Sequence, residues 1–535
     1  MLIDSSLKGR FVSKLTSNVM SALLGIITVA LVPRTLGPAD YGRFEFLAAN
    51  FKLILDSITC HAPSAFFNWI SRKAHKEDAD VSVGVTLYLV TGSVLFFCLL
   101  IAVATMTGFH VVLWPDIAPL YLWEGFGLTL AVFLFQMCTY MADGKALTGV
   151  LEKLRLVQNL AKTGAYLLLI WASLMNLHTF FFSQIVITGA VALIMAGWLY
   201  RRRAFTSAAL MPWHFPKDEI KRYLSFLKAF VRPLVILVVV GFLFSYFDRW
   251  FLQLIGGAAQ YGYFGLSDRL GAVAFLFTSA MTPLLTREFA FAFEEMDKAR
   301  LRSLFERIRV FLFIAVVTSC FLSMNSASLV EVIGGKKFIG AVIPITIMTL
   351  YPIHQTFGQL SGALLIATGQ TGLYSKISLF CMVASIPFTY LLMAPTTYLI
   401  PGLALGATGL AIKMVVVNIV GTNIQLYYNT KFLGISFPKW IFLQVKTVGI
   451  VYGAAAVACF LSLRLPDSFI QPFSFVRIDP AVFTAAIRLG LSGLLYLLFV
   501  FALVVAAPGL AGVGRDELKQ IVRQTFWKRR SNEQG

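Results

Sequence analysis

Charge is scarce in this sequence. Only 13% of its 535 residues are Asp, Glu, Lys or Arg, where a soluble domain carries about 25%. With 58% apolar residues and a mean hydropathy of +0.78, that shortage excludes both a water-soluble globular chain and a disordered one. Cysteine and histidine are scarce as well, six of each. Cys60, Cys98, Cys138, Cys320, Cys381 and Cys459 all fall in apolar stretches without metal or redox spacing. They read as small apolar side chains, and no metal site is expected. Long polar loops are missing too; the longest is 201–228. That leaves no room for an extramembrane catalytic domain, so neither an enzyme nor a catalytic residue is expected.

What the sequence has instead is long apolar runs. "VMSALLGIITVALV" (19–32), "LYLVTGSVLFFCLLIAVATM" (87–106) and "LSGLLYLLFVFALVVAA" (491–507) are examples. Runs of about 20 residues cross a hydrocarbon core as helices. Fourteen such spans are predicted: 14–34, 42–66, 84–108, 118–141, 155–175, 178–200, 228–254, 261–287, 310–333, 339–366, 374–394, 402–427, 440–463 and 482–507. The fold class is thus all-α and polytopic, with about 14 transmembrane helices. Lys8, Arg10 and Lys14 precede the first run, but no small-residue cleavage pattern follows it, so it is expected to be retained. With the N-terminus inside, the cytoplasmic segments hold 31 of the 45 Lys and Arg. This positive-inside bias puts both termini in the cytoplasm. It also accounts for the net charge of +19, since basic residues scattered over many helix ends do not form a nucleic-acid surface.

The chain repeats itself. "LGPADYGRF" (36–44) matches "IGGAAQYGYF" (255–264), with Tyr41-Gly42 on Tyr261-Gly262 and Phe44 on Phe264, all at one constant offset. "LTG" at 147–149 falls on "ATG" at 367–369 at the same offset. Six spans per copy make a parallel repeat, related by an axis along the membrane normal. The expected organisation is a six-helix bundle (1–200), a cytoplasmic amphipathic linker (201–228), a second six-helix bundle (229–427), two further spans (428–508) and a basic cytoplasmic tail (509–535). "HFPKDEIKRYLSFLK" in the linker reads as a helix lying on the membrane surface. Two like bundles enclosing a cavity open alternately by rocking, the architecture of a transporter.

Intramembrane charge marks candidate function, because each such residue costs about 2.5–3.5 kcal/mol on insertion scales. In the second span Glu45, Ala49, Lys52, Asp56 and Thr59 form one helical stripe. Lys52 and Asp56 are spaced to pair; a packing ion pair and a cavity lining both fit this pattern. Carrying the stripe into the second copy brings Arg269 onto the same face, with Asp268 beside it. Asp248, Arg249 and Arg232 lie in the seventh span and Lys162 in the fifth. Gly25 and Gly241 read as sites of close helix packing. A cavity containing Lys52, Lys162, Arg232, Arg249 and Arg269 is basic and favours an anionic ligand such as phosphate. Glu45, Asp56, Asp248 and Asp268 are the candidates for coupling transport to an ion gradient.

"LVPRTLGPADYGRFEFL" (31–47) resembles the first-loop signature of the bacterial polysaccharide transporters, the O-antigen and exopolysaccharide flippases of the multidrug/oligosaccharidyl-lipid/polysaccharide exporter superfamily. Pro33, Leu36, Gly37, Tyr41 and Gly42 carry the match. "FDRWFLQLIGGAAQYGYFGLSDRL" (247–270) resembles the corresponding segment of the second half at Asp248, Arg249, Gly256, Tyr261, Gly262 and Tyr263, and "LLIATGQT" (364–371) a later turn. The resemblance implies an inner-membrane flippase that moves undecaprenyl-diphosphate-linked oligosaccharide to the periplasmic leaflet. It would work as a monomer without a cofactor, driven by a proton or sodium gradient, alongside a polysaccharide polymerase and a chain-length regulator. The rival readings are a multidrug cation antiporter or a lipid-linked peptidoglycan-precursor flippase on the same scaffold. From another class comes a polymerase or ligase of polysaccharide assembly, which would need a large periplasmic loop.

Overall fold

The computed structural model describes residues 7–71, 79–145, 147–211, 215–274, 276–464 and 479–514. Among them every regular element is a helix. The chain forms α1 (Leu7–Ile58), α2 (Ala62–Ile70), α3 (Ala79–Met106), α4 (His110–Leu113), α5 (Pro119–Gly144), α6 (Thr148–Trp171), α7 (Leu177–Arg201), α8 (Lys217–Val231) and α9 (Val235–Val273). It continues through α10 (Leu276–Glu294), α11 (Lys298–Met324), α12 (Ser326–Ile333), α13 (Val342–Met348), α14 (Tyr351–Ala367), α15 (Thr371–Met393), α16 (Gly406–Leu433), α17 (Phe437–Leu463) and α18 (Pro480–Ala506).

Most predicted spans fall on one α-helix each, while 42–66, 228–254, 261–287, 310–333 and 339–366 are each divided between two. Among the described residues ten stretches are long and apolar enough to cross a membrane by length and composition, which makes this a multi-pass membrane protein. Helices α6 and α10 are not among the ten, and each carries charge: Lys162 in α6, Arg287 and Glu288 in α10. The chain divides into two compact units, Met1–Gly262 and Tyr263–Gly535.

In the first unit, α1 is broken at Gly37, whose φ of 79° and ψ of 171° are non-helical. Pro38 then opens the second half, where its fixed φ suits a first helical position. The same break recurs in α9 at Gly257, with φ 70° and ψ 179°. The two glycines stand at the offset of the sequence repeat, so that repeat is also one of backbone geometry. The glycine that turns is Gly257, next to the Gly256 of the motif. The second sequence match shifts: α6 starts at Thr148-Gly149 and α15 at Thr371-Gly372. Those starts lie slightly further apart than the two glycines, so the second copy carries a short insertion between the hairpin and the fifth span.

Gly42 and Gly262 mark a backbone crossing. A Cβ on Gly42 would land on the Ala258 carbonyl oxygen, and one on Gly262 on the Pro38 carbonyl oxygen. Only glycine permits that approach. Tyr41 and Tyr261 are buried beside it, with the Tyr261 ring edge-on to Phe46 at 5.2 Å. Gly25 and Gly241 meet nothing within 4 Å, so the close-packing role expected of them belongs to Gly42 and Gly262. Spacing alone does not reveal which helix face another backbone approaches.

Aromatic side chains fill this unit's core. Phe44 sits 4.7 Å from Phe180 and 5.2 Å from Phe181 on α7. Phe51 meets Phe97 at 5.0 Å and Trp114 at 5.5 Å. Helix α7 starts in a capping box, in which Asn176 accepts from the Thr179 amide and Thr179 accepts from the Asn176 amide. Near the ends of α3 and α5 that face the 201–228 linker, the Asp80 carboxylate accepts from the Thr206 amide (2.7 Å) and hydroxyl (2.6 Å). Burial lowers the pKa of Lys145 there, and the Asp80 charge partly offsets it.

Helix α8 docks on α2 and α3 within the unit. Its Tyr223 is buried against Trp69, and the Tyr223 and Thr86 hydroxyls lie 2.7 Å apart. The apolar face expected to meet the membrane thus meets protein along this stretch.

In the second unit, α10, α11, α14 and α16 share one core with α17 and α18. Trp440 of α17 packs on Phe305 at 5.2 Å and Phe357 at 6.2 Å. Tyr496 of α18 stacks on Phe321 and donates to the Val317 carbonyl at 2.8 Å. The last two spans are therefore built into this unit rather than appended to it.

Candidate functional site

The predicted stripe on the second half of α1 is open in the middle and closed at its ends. Glu45 and Thr59 are buried, Ala49 and Asp56 are half-buried, and Lys52 is exposed. The Lys52 ammonium donates to the Asp56 carboxylate one turn on. Both side chains keep substantial exposure, 54% and 37%, so the pair is held in place without being sealed. Arg249 of α9 meets the same stripe: its Nη1 donates to the Ala49 carbonyl at 3.3 Å. A guanidinium has five N–H donors, so most of its capacity remains for a ligand.

The rotation of α9 that brings Arg249 there is set by a seam the sequence reading did not identify. Tyr246, Trp250 and Gln253 lie on one helix face. They donate to the carbonyls of Leu113 (2.8 Å), Val112 (2.7 Å) and Pro115 (3.0 Å) around the end of α4. The 4-and-3 spacing was visible, but the acceptors are backbone groups with no sequence signature. Nearby, Arg43 ties the turn to the following loop, bonding Asp40 at 2.9 Å and Asp116 at 3.2 Å.

The remaining candidates are placed as follows. Asp248 is 8% exposed on α9. Lys162 is half-buried on α6, next to Thr163, whose hydroxyl lies 3.4 Å from that of Thr28 on α1. Arg232 is exposed in the 3₁₀ turn Arg232–Leu234 that precedes α9. It precedes Arg249 by nearly five helical turns, about 25 Å along a helix axis, so the two do not share one phosphate. Asp268 and Arg269 are both exposed in the second unit. The structure therefore pairs Lys52 with Asp56, fixes Arg249 on the backbone of the same helix at Ala49, and leaves Arg232 apart. Among the described residues no three His, Cys, Asp or Glu side chains gather as a metal would require.

The second unit has a polar stripe of its own, which the sequence reading also missed. Asn418, Thr422, Gln425 and Asn429 follow spacings of 4, 3 and 4 on α16. Three of them bond the backbone of α14. Asn418 donates to Tyr351 O at 3.3 Å, Thr422 to His354 O at 3.1 Å and Asn429 to Ser361 O at 3.0 Å. These are neutral groups joining two helices, a packing device. The α1 stripe is instead charged and open.

The helices and their order define the transporter fold of the MOP superfamily. The structure resembles the lipid II flippase MurJ in an inward closed conformation, with a TM-score of 0.66 at 13% identity over 92% of this chain and 98% of that one. It also resembles a multidrug resistance MATE family transporter of the MOP superfamily in its inward-facing conformation, with a TM-score of 0.60 at 15% identity over 79% and 98%. A MOP superfamily transporter from Pyrococcus furiosus, described as having a binding pocket of reversed polarity, matches with a TM-score of 0.50 at 14% identity over 79% and 94%. No curated protein matches the sequence. Within this fold class the chain belongs to the polysaccharide biosynthesis protein family, whose model matches residues 7–287.

Proposed function

We propose that this protein is a flippase of the bacterial inner membrane. It moves undecaprenyl-diphosphate-linked oligosaccharide repeat units to the periplasmic leaflet, for exopolysaccharide, capsule or O-antigen assembly. The observation that carries this reading is the meeting of Lys52, Asp56 and Arg249 on an open face in a member of the polysaccharide biosynthesis family. An ammonium on this stripe and a guanidinium bonded to the stripe's backbone at Ala49 suit a phosphate, which takes charge-assisted bonds from both. An arriving diphosphate competes with Asp56 for Lys52. Asp56, once released, is available to take up a proton or a sodium ion, which links cargo binding to an ion gradient. Glu45, Asp248 and Asp268 are further coupling candidates, and Lys162 and Arg269 further cations along the path. The two six-span bundles alternate access by rocking, both termini are cytoplasmic, and the chain works as a monomer beside a polymerase and a chain-length regulator.

A second reading has an observation in its favour. The lipid II flippase aligns over 92% of this chain, against 79% for the multidrug transporter, as expected if α17 and α18 have counterparts there. On that reading the cargo is a lipid-linked peptidoglycan precursor.

The test is leaflet assignment of lipid-linked oligosaccharide in a deletion strain that has no redundant flippase. The first reading expects it to accumulate on the cytoplasmic side and fails if it still reaches the periplasmic leaflet. Rescue of a strain depleted of its lipid II flippase favours the second.

A further inference from the structure

Between α3, α8 and the α1–α2 junction the first unit holds a cleft of about 410 Å³, within the range of pockets that take small ligands. It exists because the chain leaves α1 through two left-handed residues, Cys60 (φ 47°) and His61 (φ 60°), which offset α2 from α1. Ala62, Val90 and Leu227 are buried in its wall, Leu89 is exposed at its edge and Ser93 is half-buried there. The lining is almost wholly apolar, with one charged group, Lys228. Helix α8 runs beside α3 in the same direction, with Tyr223 at Thr86 and Leu227 in the wall shared with Val90.

The outer face of α8 adds the second observation. Lys217, Lys221, Leu224 and Lys228 form one helical stripe, and a neighbouring hollow of about 370 Å³ is lined by the same three lysines and Leu224. Lys221 and Lys228 lie about 10 Å apart along the axis, close enough for flexible side chains to converge over Leu224. The acidic residues of α8, Asp218 and Glu219, lie off this stripe. Among the described residues no carboxylate forms an ion pair with the three lysines.

An apolar slot ending in a cluster of lysines matches a ligand with a hydrocarbon chain and an anionic head. We propose that this is a binding site for one anionic phospholipid, its acyl chain in the cleft and its phosphate on Lys228 and Lys221. At about 410 Å³ the slot is closer in size to a single acyl chain than to a long branched prenyl chain. Bound there, the lipid fills the gap between α3 and α8 and holds α8, which leads into the helix that carries Arg249.

Native mass spectrometry of the full chain in detergent tests this, with phosphatidylglycerol, phosphatidylcholine, undecaprenyl phosphate and inorganic phosphate as probes. The wild type is expected to retain one phosphatidylglycerol at least about fivefold more tightly than phosphatidylcholine. K221A/K228A removes that preference. Ser93→Trp, which fills the slot and leaves the lysines intact, lowers retention of both lipids; unchanged melting temperatures certify the two variants as folded. Equal retention of the two phospholipids by the wild type, or undiminished retention by both variants, overturns the proposal. Tighter binding of undecaprenyl phosphate, or displacement of the lipid by millimolar inorganic phosphate, overturns it as well.

Discussion

The two copies of the repeat agree in backbone and differ in charge. Both turn on a glycine in the same positive-φ, extended conformation, Gly37 and Gly257, and both give a second glycine, Gly42 or Gly262, to the same crossing. Beyond Phe44 and Phe264 the likeness ends. The first copy continues with Glu45, Lys52 and Asp56; at the equivalent positions of the second stand Gly265, Ala272 and Leu276. Duplication preserved what the backbone requires, since a positive φ and a sub-contact approach admit glycine alone. It left the charges free to diverge: the ammonium and the carboxylate stand on the first copy alone, and the guanidinium that meets their helix comes from Arg249 of the second.

The largest expected effect tests the shared part. Gly42→Ala and Gly262→Ala each drive a methyl group into a carbonyl oxygen of the other segment. Backbone cannot move aside as a side chain can, so each should cost at least the upper part of the about 1–3 kcal/mol typical of overpacking. Melting of the purified protein should fall by similar amounts for both, while Gly25→Ala, with open space around it, leaves it unchanged. If one crossing glycine tolerates alanine and the other does not, the equivalence of the copies is broken.

The next effect tests the part that diverged. Lys52→Ala and Arg249→Ala should each lower export about tenfold or more, the equivalent of one charge-assisted hydrogen bond at about 1.5–3 kcal/mol, with protein level unchanged. Arg269→Ala should lower export less, since its copy lacks the paired lysine and aspartate. Cell-surface polysaccharide normalised to protein level measures all three. Wild-type export in Lys52→Ala would reduce the stripe to packing.

Much of this was legible in the sequence. Apolar runs long enough to cross a bilayer locate helices whatever their neighbours are, and a Gly-Pro pair with an echo at a fixed offset locates a turn. The Lys52–Asp56 pair was legible because its partners are one helical turn apart. The partner of Arg249 was not, being the carbonyl of Ala49, distant in the chain and identical in type to every other carbonyl. For the same reason the seam formed by Tyr246, Trp250 and Gln253 went unread. Gly25 and Gly241 were misread because close approach depends on which backbone arrives, not on the glycine. The amphipathic pattern of α8 was plain, but an apolar face looks the same whether lipid or α3 covers it.

A smaller effect separates the charged stripe from the neutral one. Asn418→Leu and Thr422→Val remove interhelical bonds to Tyr351 and His354, each worth about 0.6 kcal/mol on average in a membrane protein and up to about 1.7. Melting should fall slightly, and export per folded molecule should hold, the reverse of the pattern expected at Lys52.

The smallest effect is the stability carried by the Lys52–Asp56 pair itself. Both groups are more than a third exposed, so solvent screening limits the pair to about 0–1 kcal/mol. A double-mutant cycle of Lys52→Met and Asp56→Leu should return a coupling energy in that range. If Lys52 meets the cargo as proposed, the same four proteins assayed for export should show a much larger coupling. A large stability coupling with no coupling in export would mean that the first copy kept its charges to hold the helix in place, and the asymmetry between the copies would be one of packing rather than of cargo.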